Sequence, residues 1–559
     1  MLAIFVALAA LSPPAAPASP MSDRVVAFEA DEEALYRKYD LRYCPQDHER
    51  MQAFYRDTLK TLQSVDFDNL TDNGKLDYVL LRNAVENRRA DLDREDAEQQ
   101  KLVPFIPFAS KVNQFELDRR RVTKPDYVAI ANSISSIATD VRETEVAIKA
   151  QANVDKLQAY RAVQALDSLN GTFDTWFKFY DGYDPLFSWW VPEPYKDASS
   201  AIAEYRKYLS ETVLGIKDGD PTSLIGDPVG RDALVAELKG AMVAYSPEEL
   251  IALADKEYAW CEAEMKKASR EMGFGNDWKK ALEKVRNEHV APGEEPQLID
   301  SLAEEAIDYV TKNDLVTVPP IVSETWTMEM MTPRRQLVNP FFTGGETISV
   351  SFPTSDMSQE QKLMSLHANN RYFDRATVFH ELIPGHCLQA YYEERSHPYR
   401  EELESNPFWI EGWAFYWEML MYDRGFFKTP EDRVGSLFWR MHRCARIVFS
   451  LKFHLGEWTP EQCVDYLVDK VGHERFTAEG EVRRSILGDY PPLYQLAYMV
   501  GALQFRQLHK EFVDSGKMSA RNFHDRILEG NEMPIELVRA MLGGEKLTRD
   551  FSAGWRFYG

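Results

Sequence analysis

His380 and His386 bracket a carboxylate in the segment His380-Glu381-Leu382-Ile383-Pro384-Gly385-His386, and among the eleven histidines they are the pair that lies close together with an acid between. Imidazole and carboxylate are donors that suit a catalytic zinc, which takes about three protein ligands and keeps one position open for water. Glu381 adjoins the first histidine and points off the ligand direction, where a carboxylate can take a proton from metal-activated water. An isolated His-Glu pair is more often a solvated helix surface. The cluster, rather than the pair, gives the hydrolytic reading its weight.

The remaining donor has to come from elsewhere in the chain. Residues 409–418, Trp-Ile-Glu-Gly-Trp-Ala-Phe-Tyr-Trp-Glu, are aromatic and nearly uncharged, yet contain Glu411 and Glu418. Buried carboxylates need partners. Seven residues apart, the two share one helix face, so one can bind metal while the other orients a ligand imidazole from behind. The competing reading pairs both with arginines such as Arg440 or Arg443. Further on, Tyr490, Tyr494 and Tyr498 follow Arg483 and Arg484. A phenol can donate to the oxyanion formed when water attacks an amide, and an arginine such as Arg484 can clamp a substrate carboxylate. Packed tyrosines with satisfied hydroxyls are the plain alternative. His367, His397, His442, His454 and His473 lack comparable local partners and read as surface or satisfied core residues.

Histidines six apart do not share a face of an unbroken helix. Pro384-Gly385 supplies an interruption, and a bulge there is expected to return His386 to the metal. Around this segment helical signals dominate from residue 24 onward. Ser246-Pro247-Glu248-Glu249 and Thr459-Pro460-Glu461-Gln462 each place a capping hydroxyl, a proline and an acid or amide ahead of an apolar run, with Gly273 and Gly472 as stops. Thr347–Phe352 alternates polar and apolar residues and predicts a strand, whose edge can pair with an extended peptide or simply with a neighbouring strand. The expected fold is mainly α with a small β element beside the site helix. The proline-rich stretch Val318–Pro333 divides an N-terminal helical region, 24–330, from a C-terminal region, 331–559, that holds most of the chemistry.

The chain of 559 residues is 44% hydrophobic, enough for a large core. A formal charge of −24 disfavours nucleic acid and anionic membrane surfaces as partners. Residues 2–11 form an apolar run of signal-peptide length followed by small residues and prolines, so 1–18 reads as a signal peptide and the mature protein as periplasmic or secreted. With Met21 as the start, the protein would instead be cytoplasmic. No other run is long and apolar enough to span a bilayer. Cys44, Cys261, Cys387, Cys444 and Cys463 are scattered and odd in number, and read as buried thiols.

Four phrases together resemble a bacterial family called domain of unknown function 885: His380 to His386, Glu411-Gly412-Trp413-Ala414, Glu481-Val482-Arg483-Arg484, and Gln495-Leu496-Ala497-Tyr498-Met499-Val500-Gly501. That family carries an H-E-x-x-P-G-H signature, an E-G-W-A phrase and a Q-A-x-Y-x-x-G phrase. It is similar in organisation to the helical gluzincin peptidases, which include angiotensin-converting enzyme and oligopeptidases. The resemblance implies a gluzincin-like fold with a deep cleft, one Zn2+ ion held by His380, His386 and Glu411, Glu381 as base, and Tyr498 as oxyanion donor. Cys387 stands where the family often has a further histidine. The implied function is hydrolysis of short peptides or peptide-like substrates. An amidohydrolase acting on non-peptide amides and an exported binding protein on a dead peptidase scaffold are the alternatives, and the intact Glu381 speaks against the second.

Overall fold

The start and stop signals in the sequence are matched by helices in a computed structural model, which describes residues 20–217, 223–336, 343–403, 405–487 and 490–559. The Ser246 hydroxyl accepts from Glu249 N–H, and the Glu249 carboxylate accepts from Ser246 N–H, closing a capping box on helix Pro247–Glu271. Gly273 follows at φ 88°. Thr459 caps helix Pro460–Val471 in the same way, and Gly472 ends it with a left-handed φ of 78°. The protein is mainly α.

The β element is one small parallel pair. Strand β1, Thr327–Met330, runs beside β2, Thr347–Val350, with Thr327 opposite Thr347. Thr343 and Ser349 exchange backbone hydrogen bonds of 3.0 Å, folding the Gly344-Gly345 segment back on β2. The strand stops at Val350, short of the expected Phe352. Beyond it the Gln336 side-chain oxygen accepts from the Ser351 hydroxyl at 2.9 Å and from Phe352 N–H at 3.2 Å, substituting for a ladder.

Two compact units divide the chain. One takes in residues up to Val26, Asp66–Ala84 and Leu224–Gly559; the other is Ala27–Val65 with Val85–Ser223. The latter is built of helices around Leu166, Phe173, Trp176, Phe187 and Tyr205. The proline-rich stretch at Val318–Pro333 is not the boundary between these units. Helix Pro247–Glu271 packs along helix Pro430–His454, and the buried Glu257–Arg440 ion pair at 2.7 Å fixes residues before that stretch to the site-bearing unit. The run 2–11 and the segment 1–18 lie outside the described residues. All five cysteines are free thiols and buried.

Within the larger unit, helix Pro407–Asp423 is the centre of the core. Trp409, Trp413, Trp417 and Tyr416 are all buried along it. Its most extensive neighbour is helix Tyr494–His509, and the two meet backbone to backbone at glycines. A Cβ on Gly412 would fall 2.6 Å from Gly501 Cα, and one on Gly501 would fall 2.1 Å from the Phe408 carbonyl oxygen. This crossing sets the acids of one helix against the tyrosines of the other.

Candidate metal centre

Helix Arg371–Glu381 starts at Asn370, whose side-chain oxygen accepts from Tyr372 and Phe373 N–H at 3.0 and 3.2 Å. Phe373, Ala376 and Phe379 bury its inner face and deliver His380 to the core in the last turn. Leu382, at φ −110° and ψ −117°, leaves the helix, the Ile383–Pro384 bond is cis, and a new helix His386–Glu393 begins after Gly385. The expected bulge is therefore replaced by two separate helices, one ending and one beginning at a histidine. Gly385 is required sterically, because a Cβ there would lie 1.8 Å from the His380 carbonyl oxygen. The Trp413 indole N–H donates to the Pro384 carbonyl at 2.9 Å and ties the turn to helix Pro407–Asp423.

The two imidazoles converge on one carboxylate. His380 Nε2 lies 3.2 Å and His386 Nε2 3.5 Å from Glu411 Oε2. For metal–ligand bonds of about 2.1 Å in a tetrahedral site, ligand atoms stand about 3.4 Å apart, so this spacing suits one small divalent ion. Together His380, His386 and Glu411 offer donor atoms all within 4.8 Å of one another, the one such group among the described residues. The outer nitrogens are anchored: His380 Nδ1 meets Glu418 Oε1 at 2.9 Å, and His386 Nδ1 meets Gln389 Oε1 at 3.0 Å. Such contacts fix ring orientation and direct the inner nitrogens at a common point. Glu418 thus meets the outer nitrogen of His380, and Glu411 faces the inner nitrogens of both histidines.

Glu381 meets the segment before β2, where Gly344 N–H donates to its Oε2 at 2.5 Å. The Tyr494 hydroxyl donates to Glu411 Oε1. Tyr498 lies nearly parallel to the His380 ring, with centroids 5.8 Å apart. Arg484 is placed differently: it pairs with Glu481 at 3.1 Å and lies over the Tyr490 ring, so the carboxylate nearest to it is the protein's own. The alternative that Glu411 and Glu418 pair with Arg440 or Arg443 does not hold. Arg440 pairs with Glu257, and among the described residues no carboxylate lies within ion-pair distance of Arg443.

Burial and charge pull against each other here. Burial pushes the Glu411 carboxyl up, but hydrogen bonds from His380 and His386 more than offset it and hold the group well below its ordinary range. Burial pushes His380 down, while Glu381, Glu411 and Glu418 together lift it to about 9. His386 is raised against burial by the same Glu411. Three acids around two imidazoles make a local field that favours positive charge, whether as protons or as a metal ion.

Three positioning contacts escaped the sequence reading: Gly344 on Glu381, Gln389 on His386, and the Gly412–Gly501 crossing. Gln389 follows His386 by three residues, a helical spacing that could have shown it. The other two join distant segments without a local pattern.

Fold and centre together define a class: a mainly helical protein with a His-His-Glu group that could hold a cation and a further glutamate next to its first histidine. The chain belongs to the family described as bacterial protein of unknown function (DUF885), which matches residues 34–542. Its fold is similar to that of a "putative lipoprotein of unknown function" from Shewanella oneidensis, at TM-score 0.69 and 18% identity, covering 94% of this chain and 100% of that one. A second similar structure is the "putative lipoprotein" from Colwellia psychrerythraea, at TM-score 0.57 and 15% identity, covering 94% and 98%. No curated protein matches the chain.

Proposed function

We propose that this protein is a zinc-dependent metallopeptidase that hydrolyses peptide bonds in short peptides. The observation that carries the reading is the convergence of His380 Nε2 and His386 Nε2 on Glu411, with both outer nitrogens anchored and Glu381 alongside. Two nitrogen donors and one oxygen donor suit zinc, with a position left open. A zinc ion held by His380, His386 and Glu411 would supply a Lewis acid for a carbonyl and for the attacking water at neutral pH. Glu381 takes the proton from the attacking water and delivers it to the leaving amine. Tyr498, beside the His380 ring, donates a hydrogen bond from its hydroxyl to the developing oxyanion. Tyr494 holds the far oxygen of Glu411, leaving the near one for the metal. The gluzincin-like description of the fold rests on this arrangement. Export is supported by the apolar run at residues 2–11 and by the lipoprotein description of the similar structures.

Glu381→Gln tests the reading. Glutamine keeps the volume and can accept a hydrogen bond, but cannot take the proton. Bound zinc, measured by elemental analysis, should stay near stoichiometric, while turnover of the best substrate from a quenched-peptide library drops about 100- to 10,000-fold. A variant with zinc and near-normal turnover would remove Glu381 as the base and the mechanism with it.

A further inference from the structure

Helix Pro430–His454 brings two arginines to the ring of Tyr498. The Arg443 guanidinium lies 4.2 Å and that of Arg446 4.7 Å from the Tyr498 ring centroid. Both are buried, Arg443 at 7% exposure and Arg446 at 2%. Arg446 is compensated, with Nε 2.6 Å from Glu481 Oε1, and Arg484 takes the other oxygen of the same acid at 3.1 Å. Glu481 is therefore spent on two guanidinium groups. Arg443 has no carboxylate within ion-pair distance among the described residues, and its close neighbours are the rings of Phe415, Trp439 and Tyr498. Glu411 and Glu418 act on it through space, but they are bonded to His380 and Tyr494 and lie outside ion-pair distance of it.

A buried guanidinium without a carboxylate is costly, and its planar fork of donors matches a carboxylate better than any other common group. The cost is recovered when an anion arrives. We infer that the substrate carries a carboxylate and that Arg443, reinforced by the charge of Arg446, binds it. This rests on the hydrolytic reading above and narrows its substrate class. Tyr498 neighbours both groups, its ring 5.8 Å from the His380 ring and 4.2 Å from the Arg443 guanidinium. At about 3.4 Å per extended residue, those two steps place the carboxylate no more than about three residues from the bond that is cleaved. Either the free C-terminus of a short peptide or an acidic side chain near that bond supplies such a group.

The experiment uses the zinc-loaded full chain and four peptides of one sequence: a C-terminal acid with glutamine near the cleaved bond, its C-terminal amide, the amide with glutamate in place of that glutamine, and the doubly charged form. In wild type, the peptides bearing the right carboxylate should exceed the uncharged amide in kcat/KM by at least about 30-fold, the scale of a lost partner to a buried charge. An advantage confined to the C-terminal acid identifies the chain terminus as the source; one confined to glutamate identifies the side chain. In Arg443→Met the advantage should shrink toward one, with Arg443→Lys in between, and zinc content and thermal midpoint report whether each variant is folded. Equal kcat/KM for all four peptides in wild type overturns the inference and leaves the hydrolase intact. The same holds for an advantage that survives in folded Arg443→Met. If no peptide is turned over, the hydrolytic reading fails. Calorimetric binding of the acid and amide peptides to zinc-loaded Glu381→Gln then decides the carboxylate separately, and equal affinities overturn it.

Discussion

Two pairs of neighbouring histidines lie in the same compact unit and have opposite chemistry. His380 and His386 have ring centroids 4.9 Å apart, and His442 and His473 have theirs 4.7 Å apart. Proximity does not distinguish them. His442 Nδ1 and His473 Nε2 hydrogen-bond to each other at 2.8 Å, so one lone pair is consumed within the pair. In the site pair the inner nitrogens are turned toward Glu411 and the outer ones are held by Glu418 and Gln389. The surroundings differ in sign as well. Glu381, Glu411 and Glu418 lift His380 to about 9, whereas burial, with Arg286, pushes His473 down to about 3 despite Glu481. His442 is held well below its ordinary value by burial and by Arg446. A cation site requires lone pairs aimed outward from the pair and a negative field. Two close histidines alone do not provide it.

The largest effect should come from breaking the outward pair. His380→Ala or Glu411→Ala should lose stoichiometric zinc, and with it all metal-dependent turnover, while His473→Gln keeps both; elemental analysis and peptide assay check this. Metal retained in Glu411→Ala would shift the third ligand elsewhere. Next in size is the anchoring contact. Glu418→Gln should keep zinc but weaken it about 10- to 100-fold, measured by competition with a chelator, because Nδ1 loses a charged acceptor. An effect as large as that of Glu411→Ala would make Glu418 a ligand.

The smallest effect sharpens the contrast in charge. The folded protein refuses a proton at His473 until about 3, whereas an unfolded chain takes one up near 6.5. The stability this group contributes is therefore complete above about 6.5 and is lost as pH falls toward about 3. His473→Gln should reduce the acid-side slope of stability by up to about 1.4 kcal/mol per pH unit, the value for one proton, read as a flatter decline of thermal midpoint between those limits. An unchanged slope would mean that His473 titrates freely in the folded state.

Much of the centre was legible because it is local. His380, Glu381 and His386 fall within seven consecutive residues, and Glu411 and Glu418 declare themselves as charges in an aromatic run. Helix starts at Ser246 and Thr459 were readable for the same reason, since a capping box lies within four residues. What was not legible is what crosses the chain. β1 lies inside the stretch taken as a division, since a four-residue strand carries too little pattern to outweigh the prolines around it. Arg443 entered only alongside Arg440, in the competing reading that paired the acids with arginines, because sequence gives charge but not which of several arginines a glutamate reaches. Here Arg440 and Arg446 found acids and Arg443 did not.

The contact of Gly412 with Gly501 has a consequence for the order in which the centre comes into being. His380 and His386 are neighbours as soon as their short segment folds, but Glu411 acquires the hydroxyl of Tyr494 only when the two glycine-bearing helices close on each other. That closure spans a long stretch of chain, and forming it is slow relative to making a helical turn. On the proposed metal-site reading, capture of an ion by the complete group would belong to the end of folding rather than its beginning. An ion arriving earlier meets two histidines and a carboxylate that is still unfixed.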